Sequence, residues 1–304
     1  MNNTTIDLVI AYVNNNDLVW RKNYVDFCSK NNLQEKIVEM LGTRYGGITF
    51  IYDQLFLVRQ NMPWINKIYL LLSNKEQIIP SLLPSNVEIV YHRDFIPGQF
   101  LPTFNSTTIE MFLWNIKGLS EKFIYANDDM LPTGELKPSD FFYDEKIKIN
   151  WREDNFSLNC NVYGYQCHNC CVALSNKLGI KYPKDKVLKP VHSFTPMIKS
   201  HCKDAFFLIK DYIVPHIRAF RTPYQYNQYI YPLYEHWKYG TLESKVDFLY
   251  TELDKDFDLN HQIVCINLEK DYQFAKKYKE EIRKLCKQEC VRWQKTNTYI
   301  LKTG

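Results

Sequence analysis

Two carboxylates side by side, Asp128 and Asp129, close the apolar run Phe123-Ile124-Tyr125-Ala126, with Asn127 beside them. Adjacent carboxylates repel unless a cation or a proton relieves them. Hard oxygen ligands suit Mg2+ or Mn2+, ions that are held by one or two carboxylates together with substrate phosphates. Both residues are candidate metal ligands, and the chemistry they suggest is the handling of a nucleotide diphosphate. The competing reading is a solvated turn whose Asp caps a helix. His192, in Lys189-Pro190-Val191-His192-Ser193, is a candidate general base, because an imidazole that titrates near neutrality can take a proton from an attacking hydroxyl. A lone histidine is more often structural. Arg218 and Arg221 bracket Ala219-Phe220. Guanidinium forks match phosphate oxygens in bidentate fashion, although surface positions and salt bridges are the commoner use of arginine.

A second cluster, Cys160, Cys167, Cys170 and Cys171 with His168, raises structural zinc. Cys167-x-x-Cys170 has the spacing of a zinc knuckle, but no second clean knuckle follows it. Cys286-x-x-x-Cys290 lies in a helical pattern. Thiols in a reduced core are the default expectation. There is no glycine-rich dinucleotide loop, no phosphate-binding Gly-x-x-x-x-Gly-Lys-Ser/Thr run and no Gly-x-Ser-x-Gly elbow.

The elements that must position these residues alternate in type. Four short, nearly continuous apolar runs, Ile6 to Val13, Lys67 to Leu72, Val87 to Tyr91 and Lys122 to Ala126, read as buried strands. Phe50 to Asn61 and Thr107 to Lys117 read as helices between them. In the latter Ile109, Phe112, Leu113 and Ile116 share a face, Thr107 and Glu110 have capping-box spacing, and Gly118 stands where a helix stops. This order predicts an α/β fold with a mainly parallel sheet. The carboxyl ends of the runs carry Asn14-Asn15-Asn16-Asp17, Ser73-Asn74, His92-Arg93-Asp94 and Asn127-Asp128-Asp129. Open α/β sheets bind ligands at those ends. Beyond a weakly marked boundary near residue 150, Lys181 to Lys189 reads as a linker or loop. Helical patterns follow at Ser200 to Ile209, Tyr224 to Lys238 and Lys270 to Lys295. The expected organisation is an α/β core over 1–150, which the resemblance given below makes nucleotide-sugar-binding, and a mostly helical part over 151–304 that completes the site, or one continuous domain.

The chain has 304 residues, 45% hydrophobic, with 22 Tyr, 18 Phe and a net charge of +4. That length supports one large domain or a core with an appended lobe. The weak charge and the lack of a basic run argue against nucleic acid. No apolar run reaches the roughly 18 residues of a membrane span. The polar start Met1-Asn2-Asn3-Thr4-Thr5 lacks the basic segment of a signal peptide. Nine cysteines, an odd number, fit reduced thiols. The expected location is cytoplasmic, at most peripheral at the inner face of the membrane.

Together these motifs resemble the Stealth family of hexose-1-phosphate phosphotransferases, which includes bacterial capsule enzymes and the N-acetylglucosamine-1-phosphotransferase of lysosomal tagging. Ile6-Asp7-Leu8-Val9-Ile10-Ala11-Tyr12-Val13-Asn14 is similar to the family's first region. Residues 44 to 151 carry the strongest match. It includes Met62-Pro63-Trp64-Ile65-Asn66-Lys67-Ile68-Tyr69 and Leu101-Pro102-Thr103-Phe104-Asn105-Ser106 with Ile109-Glu110. It also includes Gly118 to Tyr125 with Asn127-Asp128-Asp129. The third region matches at His192, then at Arg221 and Asn227. The fourth fits at Val264-Cys265-Ile266-Asn267. The chain departs from the family pattern at Gly46-Gly47, Tyr52, Phe56 and Leu268.

The resemblance implies a Rossmann-like, glycosyltransferase-A-like core with a helical C-terminal lobe. It implies a UDP-sugar donor, Mg2+ or Mn2+, and a glycan acceptor that is lipid-linked or free. The acceptor hydroxyl would attack the β-phosphorus, giving a sugar–phosphate–sugar linkage and UMP in cell-surface polysaccharide synthesis. Asp128 and Asp129 would take the metal, Arg221 the transferring phosphate, and His192 the acceptor's proton. Asp7, Asn14 and Asp17 would meet uridine, ribose or donor sugar. Arg44, Asn105, Ser106, Arg218 and Asn227 complete the donor-binding set, with Glu110 near the same helix start and His92 and Asp94 behind the contacts. Two rival readings remain: an ordinary metal-dependent glycosyltransferase that releases UDP, and a catalytically silent binding module.

Overall fold

A computed structural model describes residues 5–41, 49–158, 161–252, 258–267, 280–282 and 284–285. In chain order the strands are β1 (Ile6–Ala11), β2 (Ile68–Leu72), β3 (Val87–Tyr91), β4 (Lys122–Asn127), β5 (Met130–Leu131), β6 (Phe142–Tyr143) and β7 (Lys146–Ile149). They continue with β8 (Trp151–Asn155), β9 (Lys186–Pro190), β10 (Thr195–Ile198), β11 (Leu242–Glu243), β12 (Phe248–Glu252) and β13 (Ile263–Asn267). The helices used below are α1 (Leu18–Lys30), α2 (Gln34–Leu41), α3 (Ile51–Asn61), α4 (His92–Phe95), α5 (Ser106–Glu110), α6 (Pro138–Phe141), α7 (Val162–Leu178), α8 (Lys199–Leu208), α9 (Lys210–Ile213) and α10 (Ile230–Lys238).

The central sheet has the order β10-β4-β1-β2-β3. The pairs β4–β1, β1–β2 and β2–β3 are parallel, and β10 joins β4 antiparallel. Side chains on a strand alternate between faces, and here both faces are apolar. Leu8, Ile10, Leu70, Leu72, Ile124 and Ala126 point into one core, which α3 closes with Ile51, Leu55 and Val58. Val9, Tyr69, Leu71, Phe123 and Tyr125 point into the other, closed by residues of α7, α8 and α10. Burial on both faces is why the runs read as continuous rather than alternating.

The second half of the chain supplies helices and also strands. Residues 186–189, which the sequence marks as part of a linker or loop, lie in β9. Its main chain pairs antiparallel with β8, from Trp151↔Pro190 to Asn155↔Lys186. The expected helix from Thr107 to Lys117 is shorter: α5 ends at Glu110 and a single 3-10 turn covers Leu113–Asn115. The Tyr231 hydroxyl donates to the carbonyls of Glu110 (3.2 Å) and Met111 (2.7 Å), and the Trp114 indole donates to Met111 O. Those carbonyls are thus occupied by side chains where a helix would need them. The cap is Asn105 rather than Thr107. The predicted helix over Tyr224 to Lys238 begins at Ile230, because Asn227 first turns the chain: its main-chain O accepts from Ile230 N and its side chain from Tyr229 N. Most of the Lys270 to Lys295 pattern lies outside the described residues. Among the described residues no helix is long and apolar enough to cross a membrane.

Candidate active site

The chain runs outward from β1 to β2 and β3, then returns to β4 on the other side of β1. The carboxyl ends of β1 and β4 therefore flank the point where strand order reverses, the position at which open α/β sheets form a ligand crevice. Asp128 and Asp129 follow β4 directly, so the register β1↔β4 (Ala11↔Asn127) sets them beside the loop after β1. The Asp128 carboxylate accepts from the Val13 main-chain N–H and from its own. Burial, and then the Asp129 charge, push its carboxyl up to about 7. The turn is held from below by Gln54 on α3, whose Nε2 donates to Asn127 O (2.8 Å) and Met130 O (2.7 Å). Asn127 Oδ1 and Gln54 Oε1 are buried at this turn without a hydrogen-bond donor among the described residues. Adjacent carboxylates at such a turn suit a hard divalent cation.

His192 reaches the same end of the sheet by topology. Because β10 is antiparallel to β4 and pairs Thr195 with Tyr125, the residues before Thr195 lie beyond the carboxyl end of β4. Asp129, His192 and Cys265 each bring a side-chain O, N or S atom within 4.8 Å of the other two. Cys265 comes from β13, where it pairs with Met130. The ring of His192 is fixed by Tyr229, whose hydroxyl is 3.0 Å from Nδ1, and by edge contacts with Tyr163 and Tyr250. Burial lowers the imidazole pKa and so does the Arg221 charge, while Asp129 opposes them. The lowered pKa favours the neutral ring, the form that can accept a proton.

Arg221 bonds Ser106 Oγ at the first residue of α5. Its neighbour Phe220 stacks on Phe104 at 5.6 Å and meets Tyr24 of α1 edge-on. Ala219 O accepts from Phe104 N. Aromatic packing thus pins a loop that would otherwise be free to move. Glu110, four residues after Ser106, is buried and accepts from Gln228 N (3.1 Å) and Tyr125 OH (3.4 Å). Burial raises its pKa and the Arg221 charge lowers it. The guanidinium therefore has a carboxylate behind it and an exposed face in front.

Several residues expected to touch the donor also make hydrogen bonds within the fold. Asp7 lies near the amino end of β1, about 13 Å along the strand from Ala11. It accepts from Asn66 Nδ2 (2.9 Å), Lys67 N (3.1 Å) and Ser120 N (2.8 Å), which ties together the entrances of β2 and β4. Asp17 caps α1 through Val19 N and Trp20 N and also accepts from Asn74 Nδ2 and Gln77 Nε2. Asn14 exchanges hydrogen bonds with the Gln77 amide. Asn105 caps α5 and donates to Arg218 O and Gln225 Oε1. Asn227 bonds Cys167 and Tyr229. The Arg218 guanidinium turns back to Ile217 O. Asp94 accepts from Tyr91 N, and His92 packs on Phe95. Arg44, Gly46, Gly47 and Leu268 lie outside the described residues. Of the other departures, Tyr52 accepts from Ile79 N and Phe56 packs beside Phe50 and Leu131.

Cys167, Cys170 and Cys171 are buried on α7, with sulfur contacts to Asn227 and to Leu188 O. That is core packing rather than a knuckle; Cys160, Cys286 and Cys290 lie outside the described residues. Sequence reasoning missed Gln54 and Tyr229. A glutamine on an otherwise apolar helix face is the one signal that marks Gln54. Tyr229 has no signal, because only the fold brings residues 192 and 229 together.

Residues 48–150 match the family model described as Stealth protein CR2, conserved region 2. The chain is 32% identical over 224 residues to the capsular polysaccharide phosphotransferase LcbA of Neisseria meningitidis, covering 71% of this chain and 58% of the relative. It is 39% identical over 140 residues to the capsular polysaccharide phosphotransferase WcwK of Streptococcus pneumoniae, covering 45% and 40%. It is 38% identical over 146 residues to the receptor polysaccharide phosphotransferase WefC of Streptococcus gordonii, covering 47% and 42%. The chain thus spans about half the length of these relatives. The matched region holds β2, β3, β4 and the acidic pair, and the likeness to LcbA extends well beyond it; the chain carries conserved region 2 of the Stealth proteins.

Proposed function

We propose that the chain transfers a sugar-1-phosphate from a UDP-sugar to a hydroxyl of a glycan acceptor in capsular or other cell-surface polysaccharide synthesis. The observation that carries this reading is the meeting of Asp129 with His192 at the strand-order reversal, with Arg221 in electrostatic range. The relatives' activity, capsular or receptor polysaccharide phosphotransfer, supports the same class of chemistry.

Transfer at phosphorus is mostly positioning and charge neutralisation. The acceptor oxygen forms a bond to the β-phosphorus, the bond from that phosphorus to the bridging oxygen breaks, and UMP leaves. His192 Nε2 takes the hydroxyl proton, with Nδ1–H donated to the Tyr229 oxygen. Asp129 stabilises the imidazolium that results. Arg221, oriented by Ser106, holds the transferring phosphate. Asp128 and Asp129 would hold Mg2+ or Mn2+, which when bound neutralises the diphosphate and the departing UMP.

The test is incubation with a panel of UDP-sugars, Mg2+ and a cell-envelope extract. UMP release is expected. UDP release would replace this reading with ordinary glycosyl transfer, and failure to bind any donor by calorimetry would replace it with a silent module. His192→Ala and Asp128→Ala should fold with unchanged circular dichroism and lose about 10²-fold or more of UMP release. Wild-type turnover in either variant removes that residue from the mechanism.

A further inference from the structure

We propose that Asp129, His192 and Cys265 form a site for a thiophilic divalent cation such as Zn2+, and that its occupation switches the transfer chemistry off. The three donor atoms lie within 4.8 Å of one another. Zn2+ takes tetrahedral sets of sulfur, nitrogen and carboxylate oxygen at about 2.0 to 2.3 Å, so the donors need close in by only about an ångström. Mg2+ demands oxygen and leaves a thiol and an imidazole unused, and Mn2+ disfavours the thiolate. The charges also suit a buried position. Zn2+ with one carboxylate, one thiolate and one neutral imidazole sums to zero, which avoids the cost of an uncompensated ion.

Cys265 is fully buried, and its thiol donates a hydrogen bond to Asp129. Binding replaces that proton: the S–H bond is exchanged for a metal–sulfur bond and the proton leaves to solvent. A metal drives such deprotonation outright. The strands give the set its rigidity, since Cys265 is locked opposite Met130 and Asp129 O accepts from Ile266 N at 2.9 Å. The inhibitory half of the proposal rests on the reading given under Proposed function: a cation on His192 occupies the lone pair that should receive the acceptor's proton, and it draws Asp129 away from the hard-metal position.

The site is tested on the full chain carrying Cys160→Ser, Cys286→Ser and Cys290→Ser, stripped of metal and titrated with Co2+ under anaerobic conditions. A sulfur-to-cobalt charge-transfer band saturating at one equivalent is expected. Adding Cys265→Ser should abolish the band, and adding His192→Ala should weaken Co2+ binding at least about tenfold. Melting curves establish that both variants are folded. No band, a band that survives Cys265→Ser, or Co2+ affinity unchanged by His192→Ala overturns the site. In the transfer assay with excess Mg2+, Zn2+ should suppress UMP release from wild type, and Cys265→Ser should need at least about tenfold more Zn2+. Equal sensitivity overturns the switch. Absence of UMP release under every condition defeats the proposed reaction and with it the switch, while the cobalt band still decides the site.

Discussion

Asp7 and Asp128 stand at opposite ends of neighbouring strands, and their surroundings assign them opposite work. Asp7 is ringed by three N–H donors, and each of them would be left without its acceptor if the carboxylate were removed. Hydrogen bonds to a charged group contribute about 1.5–3 kcal/mol each and stranded donors add to the cost, so Asp7→Ala should lose about 3 kcal/mol or more in urea unfolding. The folded fraction should keep UMP release within about twofold of wild type. A larger loss in protein shown to be folded would return Asp7 to the donor-binding set. Asp128 instead has a neighbouring carboxylate and a pKa raised to about 7, a tension that a fold does not keep for its own stability. From the sequence the two look alike: each is an Asp at one end of an apolar strand. The type of residue and the adjacency of Asp129 make the pair legible. Which acidic or amide side chain is already spent on N–H groups is decided by loops more than fifty positions away, as with Asp17 and Gln77.

At the scale of elements, the site is a set of loops whose positions are fixed by what lies beneath them. α3 is the clearest case, because a single glutamine on its buried face grips both ends of the turn that presents the acidic pair. Gln54→Leu should cost about 1–3 kcal/mol of stability. It should also raise the Mg2+ concentration for half-maximal UMP release about tenfold, as expected when a group that orients metal ligands is lost. An unchanged Mg2+ dependence would reduce Gln54 to a packing residue. β1, β2 and β4 are readable because both of their faces are buried, so hydrophobicity alone marks them, whereas β3, at the sheet edge, keeps Glu88 in solvent. α5 and the start of α10 are not readable in that way. Their ends are set by the Tyr231 hydroxyl and by the Asn227 side chain, contacts that no periodicity carries. β9 was hidden for a related reason: Lys186 and Lys189 read as solvent-facing, yet Lys189 is buried against Asp154.

For the whole molecule, acid stability offers a check that does not depend on the reaction. His92 is buried and its Nε2 has no hydrogen-bond partner among the described residues. Burial lowers its pKa to about 4. In the unfolded chain the imidazole titrates near about 6.5. Between those values the unfolded state binds more protons, so the stability this neutral ring contributes is complete above about pH 6.5 and is lost as pH falls toward 4. The loss is on the order of 3 kcal/mol, and His92→Leu should flatten that limb of a stability-against-pH profile; an unaltered limb would assign it to other groups. A different consequence follows from β10, the one antiparallel strand of the central sheet. During synthesis the ribosome must release residue 198 before the flank of β4 finds its cover, so every shorter nascent chain carries a bare strand border. A fragment ending at residue 150 should accordingly self-associate in light scattering while the full chain does not, and the growing polypeptide would need a chaperone's protection for as long as that border stays open.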